Sequence, residues 1–125
     1  SGRTALHWAT EHGYTRVVHI LLSSRRSDEV AMFGKSLLNI CDSKGHTALH
    51  VACNSRREDL ATLLATLNID LNIRDISGNT ALHRAVRMNM ETTAIVMCEA
   101  GANVNARNDL LWTPLHEAAR TGNEN

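Results

Sequence analysis

Gly78-Asn-Thr-Ala-Leu-His-Arg-Ala85 is the stretch on which the fold turns, because the same eight-residue phrase stands at three other places. They are Gly2-Arg-Thr-Ala-Leu-His-Trp-Ala9, Gly45-His-Thr-Ala-Leu-His-Val-Ala52 and Leu111-Trp-Thr-Pro-Leu-His-Glu-Ala118. The threonines of successive phrases are 43, 33 and 33 residues apart. A fixed period of this length marks a chain built from stacked supersecondary units rather than one closed core. Working outward from each phrase, a second apolar segment follows: Val17-Val-His-Ile-Leu-Leu22, Leu60-Ala-Thr-Leu-Leu-Ala65 and Ala94-Ile-Val-Met-Cys98. An extended stretch then ends each unit: Leu38-Asn-Ile-Cys-Asp42, Leu71-Asn-Ile-Arg-Asp75 and Val104-Asn-Ala-Arg-Asn108.

The residues of the phrase predict how each unit begins. Thr4, Thr47, Thr80 and Thr113 stand where an N-cap belongs, their hydroxyls able to accept from the unpaired N–H groups of a helix's first turn. His7, His50, His83 and His116 follow three residues later, at the place a capping box gives to Glu or Gln, so each imidazole can reach back to the cap. Pro114, the only proline, takes the first helical position, where its missing N–H costs nothing. Leu6, Leu49, Leu82 and Leu115, with Ala9, Ala52, Ala85 and Ala118, fall on one stripe facing the second helix. A single unit cannot bury that stripe, so stacking is obligatory. Gly45 and Gly78 predict turns with positive φ. Leu111 stands where the fourth phrase should carry glycine and Asn108 where it should carry Asp; a left-handed leucine costs about 1–2 kcal/mol, so the last turn is expected to be reshaped.

Four phrases in register make the chain resemble the ankyrin repeat family over essentially its whole length. The resemblance implies an all-α repeat solenoid: stacked helix-turn-helix ankyrin repeats with β-turn fingers between them. The units are repeat 1 at 2–44 with an insertion at about 23–37, repeat 2 at 45–77, repeat 3 at 78–110 and a partial repeat 4 at 111–125. Trp8, Val17 and Val18 have the character of internal positions, so a fragment of a longer array is expected. In the insertion, Ser27-Asp-Glu before Val30-Ala-Met-Phe33 predicts a capped short helix that lays Met32 and Phe33 on the stack. A loop that carries specificity and a tolerated surface insertion remain open.

Composition excludes several classes of function. Thirteen basic residues balance thirteen acidic ones, which leaves no electrostatic footprint for nucleic acid or an anionic membrane surface. Cys41, Cys53 and Cys98 are odd in number and spaced like neither a disulfide framework nor a metal site, so an intracellular setting, cytoplasm or nucleus, is expected; Cys53 and Cys98 read as inert core residues. No apolar run approaches a membrane span. The motif histidines are too far apart along the stack to gather a metal, and no nucleophile elbow, P-loop or zinc-protease phrase occurs. No enzyme activity, metal or cofactor is expected.

What remains is recognition. The resemblance implies contact with another protein, by a monomer, through finger tips and the groove lined by first helices. The tip residues are Ser43, Lys44 and His46; Ile76, Ser77 and Asn79; and Asp109, Leu110 and Trp112. Arg87, Met88 and Arg120 are the groove residues most suited to contact, and Glu11, His12, Asn54, Ser55 and Thr121 share their row. Ile76 and Leu110-Leu111-Trp112 put apolar side chains on turns that are ordinarily polar, and such patches mark interfaces; packing of Trp112 against its neighbouring finger is the other reading. Arg25-Arg26 and Arg56-Arg57 are each followed by acidic pairs and read as solvated. The resemblance further implies that Asn39, Asn72 and Asn105 match a position hydroxylated in some ankyrin proteins, beside a plainer role in bonding the finger backbone. An architectural spacer within a larger protein, or a domain that sequesters a transcription factor, are the competing functions.

Overall fold

The computed structural model describes residues 3–23, 39–67 and 70–121; the insertion, with the expected helix at Ser27 and the side chains of Met32 and Phe33, lies outside the described residues. Among the described residues seven helices run in sequence: α1 (Ala5–Glu11), α2 (Thr15–Ser23), α3 (Ala48–Asn54), α4 (Glu58–Thr66), α5 (Ala81–Arg87), α6 (Glu91–Glu99) and α7 (Pro114–Thr121). First helices stack as one layer in the order α1, α3, α5, α7; second helices form another, with α4 on α6. The architecture is the expected all-α solenoid.

Each first helix starts where the phrase predicts. Thr4, Thr47 and Thr80 have extended backbones, and complete capping boxes join them to His7, His50 and His83. In α3 the Thr47 N–H donates to Nδ1 of His50 at 3.2 Å while Thr47 Oγ1 accepts from the His50 N–H. Thr113 and His116 repeat the arrangement ahead of α7. An acceptor role for Nδ1 puts the ring proton on Nε2, and that atom reaches into the next repeat. His7 Nε2 meets the His46 carbonyl at 2.6 Å, His50 Nε2 that of Asn79 at 2.9 Å, and His83 Nε2 that of Trp112 at 2.8 Å. The motif histidine is therefore a cap and an inter-repeat tie at once. Burial pushes the His50 imidazole down to about 4, outweighing the opposite pull of the Asn79 carbonyl and the Asp75 carboxylate.

The helices of a pair are joined by a tight reversal. Tyr14, Arg57 and Met90 donate their N–H groups five residues back, to Ala9, Ala52 and Ala85, and the residue before each has positive φ: Gly13, Arg56 and Asn89. This is the Schellman ending of a helix.

The core follows from the stripe. Leu6, Leu49 and Leu82 are at most 2% exposed and Ala9, Ala52 and Ala85 are fully buried, each leucine contributing about 2–3 kcal/mol by leaving water. Leu64 and Met97 fill the second-helix side. Leu115 departs from this pattern: it is 77% exposed, because among the described residues no second helix packs on α7. Cys98 also departs, lying exposed where a core residue was expected. Thr93 and Met97 hold the buried side of α6, which turns position 98 outward. Cys53 is buried as expected, and desolvation pushes its thiol up to about 12.

Candidate functional site

Three fingers project between the repeats, at Asp42–His46, Asp75–Asn79 and Asn108–Trp112. In each, the first residue's N–H donates to the fifth residue's carbonyl at 2.9 Å. The first side chain then organises the loop from inside. Asp42 Oδ1 accepts from the N–H groups of Lys44 and His46, Asp75 Oδ1 from those of Ser77 and Asn79, and Asn108 Oδ1 from those of Leu110 and Trp112, all within 2.9–3.0 Å. The third finger is thus not reshaped, contrary to the sequence expectation. An amide oxygen makes the same two bonds as a carboxylate oxygen, and Leu111 accepts the left-handed conformation at φ 65°.

Neighbouring fingers touch through their backbones. The Ile76 N–H donates to the Lys44 carbonyl and the Asp109 N–H to the Ser77 carbonyl, both at 3.0 Å. That approach explains the glycines. A Cβ on Gly45 would stand 2.8 Å from Asp75 Cα, and one on Gly78 2.8 Å from the Asp109 nitrogen.

The predicted site residues separate into two groups. Ser43, Lys44, Ile76, Ser77, Asp109 and Leu110 are exposed at the tips, and Arg87 is exposed at the end of α5. Ile76 and Leu110 are 70% and 67% exposed. The others turn inward. Asn79 is 6% exposed; its carbonyl receives His50 and its Oδ1 accepts from Nδ2 of Asn108 at 2.9 Å. His46 is half-buried, with Nε2 3.2 Å from Asp75 Oδ2 and its ring stacked on His50. His46 and Asn79, which close the first two fingers, sit beneath the next finger, which is why they are withdrawn from the tip. Met88 packs against the core. Trp112 is half-buried, its carbonyl taken by His83. The side chain of Arg120 lies outside the described residues.

A string of charged groups forms the floor between fingers and first helices. Arg3 pairs with Glu11 and reaches Asp42. His46 lies between Asp42 and Asp75, and Arg84 Nη2 meets Asp75 Oδ2 at 3.1 Å. Burial alone would raise the Asp75 carboxyl, but bonds from His46, the Asn79 N–H, Arg84 and the Ser77 N–H overcome it and hold the group far below the usual carboxylate range. Asp42 is held down in the same sense, burial being outweighed by the His46 and Lys44 N–H groups. A cavity of about 480 Å³ opens here, lined by residues that include Lys44, Val51, Asn54 and Ser55. Its charged lining suits a polar segment of a partner better than an apolar small molecule.

On the opposite edge, Arg56 and Arg57 are not merely solvated. Arg57 Nε donates to the Glu11 carbonyl at 3.2 Å and Arg56 Nη2 to the Met88 carbonyl at 2.9 Å, so one pair of arginines caps the C-termini of both adjacent first helices. Asn39 and Asn72 likewise act between repeats, accepting the Asp70 and Asn103 N–H groups at 2.8 and 2.9 Å. Among the described residues no group of three or more His, Cys, Asp or Glu could hold a metal, and no helix is long and apolar enough to cross a membrane.

Comparison with known proteins agrees with this geometry. The family model for ankyrin repeats (3 copies) matches residues 27–108, and the model for a single ankyrin repeat matches residues 1–31. An Arabidopsis thaliana protein named "Putative E3 ubiquitin-protein ligase XBAT31" is 39% identical over 64 residues, 50% of this chain. The matched segment spans 14% of that protein's length.

Proposed function

The chain belongs to the ankyrin repeat family, whose members are in general non-catalytic modules of protein interaction, and on that premise we propose that it binds a partner protein along the row of finger tips and the groove behind them. The single observation behind this reading is the exposure of Ile76 and Leu110 at neighbouring tips that are already tied together. Apolar side chains on turns carry no folding role that would retain them, whereas an interface core gains from each about 1–2 kcal/mol. Ser43, Lys44, Ser77 and Asp109 supply a polar rim, Arg87 a charge at the far end of the groove, and the half-buried Trp112 an edge next to Leu110. Asn79 and His46 act as scaffold, and Met88 contributes through core packing. The partner is a protein rather than a nucleic acid or membrane, met by a monomeric chain inside the cell; no cofactor takes part.

The similarity to a named ubiquitin ligase over half of this chain fits a recognition segment carried by a larger protein. An architectural spacer is the competing function. Capture of binding proteins from lysate, run beside an Ile76→Ala, Leu110→Ala variant whose helicity is intact, separates them. A protein held by the parent and lost, or bound at least tenfold more weakly, by the variant supports the tip site; equal retention by both removes it.

A further inference from the structure

The carboxylates of the groove are already matched within the chain, and its cations are not. Glu11 is held by Arg3, which also reaches Asp42. The side chains of Asp42 and Asp75 are only 4% and 1% exposed, and their oxygens are taken by finger N–H groups, His46 and Arg84. Glu117 is buried and accepts from Asn108 Nδ2. The basic residues are placed differently. Lys44 lines the cavity of about 480 Å³ and Arg87 ends α5, both of them exposed. Among the described residues neither has a carboxylate partner. Asn54, which holds the place of Arg87 one repeat earlier, lines the same cavity with Ser55, and among the described residues neither side chain makes a hydrogen bond. Arg84, at the place of Val51 one repeat on, keeps its Nε buried without an acceptor. The unmatched carboxylate of the row, Asp109, stands two fingers beyond Lys44, about 20 Å by the spacing of stacked helices.

We infer that this part of the groove takes an acidic, extended segment of the partner protein, whose Asp or Glu carboxylates meet Lys44 and Arg87 while Asn54 and Ser55 donate beside them. The inference rests on the proposed reading of the tips and groove as a partner site, and adds the chemistry of what enters. Charge complementarity carries it. An arriving carboxylate meets donors that have no partner, whereas an arriving ammonium would have to displace Arg3 or stay unpaired. The cavity lies within the roughly 300–1,000 Å³ of ligand sites, a size that suits a run of side chains rather than a folded domain.

Selection of short random peptides on the parent chain at low salt provides the test. The bound peptides should be enriched in Asp and Glu by about twofold or more over the library. One of them, labelled with fluorescein and followed by anisotropy, should bind about tenfold more weakly to a Lys44→Glu, Arg87→Glu chain and should lose affinity as salt rises. Both side chains are on the surface, so helicity and thermal midpoint should hold. A Lys44→Gln, Arg87→Gln chain, expected to show a smaller loss of binding, guards against any effect of the new acids on the fold. Neutral or basic selected peptides, or acidic ones indifferent to both variants, would overturn the inference. The Ile76→Ala, Leu110→Ala chain judges the tip site apart. Peptides weakened by that variant and not by the charge changes leave the tip reading standing and remove the acidic segment; peptides weakened by the charge changes alone do the reverse. A parent chain that selects no peptide counts against both.

Discussion

Nε2 of His50 stands 2.9 Å from the carbonyl oxygen of Asn79, 29 residues further along the chain. The ring is almost wholly buried, and both its nitrogens are committed, Nδ1 as acceptor at the Thr47 cap and Nε2 as donor to the next repeat. Only the neutral imidazole can do both.

Acid should therefore loosen the stack well before carboxylates titrate. The folded His50 binds its proton near 4, the unfolded one near 6.5, so the unfolded chain takes up the proton first and stability falls as pH drops from about 6.5 toward 4. The full effect is on the order of 3 kcal/mol. Asp75, held far below its ordinary value, acts in the same direction but only under about pH 4. Urea midpoints measured from pH 8 to pH 4 should stay level down to about 7 and then decline; a level profile down to pH 4.5 would contradict the assignment.

Asp75 holds two backbone N–H groups, His46 and Arg84 with one carboxylate. Asp75→Ala leaves all four without their acceptor and should cost about 3 kcal/mol. Asp75→Asn should cost clearly less, since Asn108 shows that an amide oxygen shapes the loop equally well. Equilibrium unfolding of the two variants gives the order, and equal losses would mean the charge rather than the loop bonds dominates.

Leu111 and Gly78 occupy the same place in successive fingers with opposite consequences. Leu111→Gly relieves a left-handed leucine, worth about 1–2 kcal/mol, against the extra chain entropy of glycine, about 0.5–1 kcal/mol; a net gain of up to about 1 kcal/mol is expected, because the leucine side chain is 67% exposed and loses little packing. Gly78→Ala should instead cost about 2 kcal/mol or more, its Cβ falling 2.6 Å from Asp109 Oδ1. Thermal midpoints of both variants check the pair of signs, and a destabilised Leu111→Gly chain would show that the leucine is held by contacts rather than tolerated.

The period, the caps and the leucine–alanine stripe were legible because each depends on residues close in sequence. The histidine tie, the arginine caps and the asparagine bridges were not. Each links atoms 29 to 46 residues apart, and their distance is set by how repeats stack rather than by any local pattern. For the same reason Asn79 and His46 looked like tip residues: in a single finger they are, and only the next finger covers them. The third finger keeps its shape against the sequence expectation because the Asn108 amide supplies the oxygen that Asp supplies in the other two, and that outweighs the left-handed Leu111. Among the tips, exposure of Ile76 and Leu110 agrees with the sequence reading, whereas Met88 was drawn inward by packing that helical spacing alone could not separate from the groove.

At the tips, the bonds that tie one finger to the next use main-chain atoms, the amides of Ile76 and Asp109 and the carbonyls of Lys44 and Ser77, while the side-chain links from His46 to Asp75 and from Asn108 to Asn79 lie at the finger bases. Side-chain identity at the tips is thereby decoupled from the geometry of the row. Nearly any residue can replace another there without shifting the ladder, proline being the exception: at 76 or 109 it removes a ladder donor, and at 44, 77 or 110 a donor to the Asp42, Asp75 or Asn108 side chain. On the proposed reading, the scaffold could change its binding preference by substitution at the tips alone, and a docking partner would meet a row whose spacing is already fixed, losing little ordering entropy on contact.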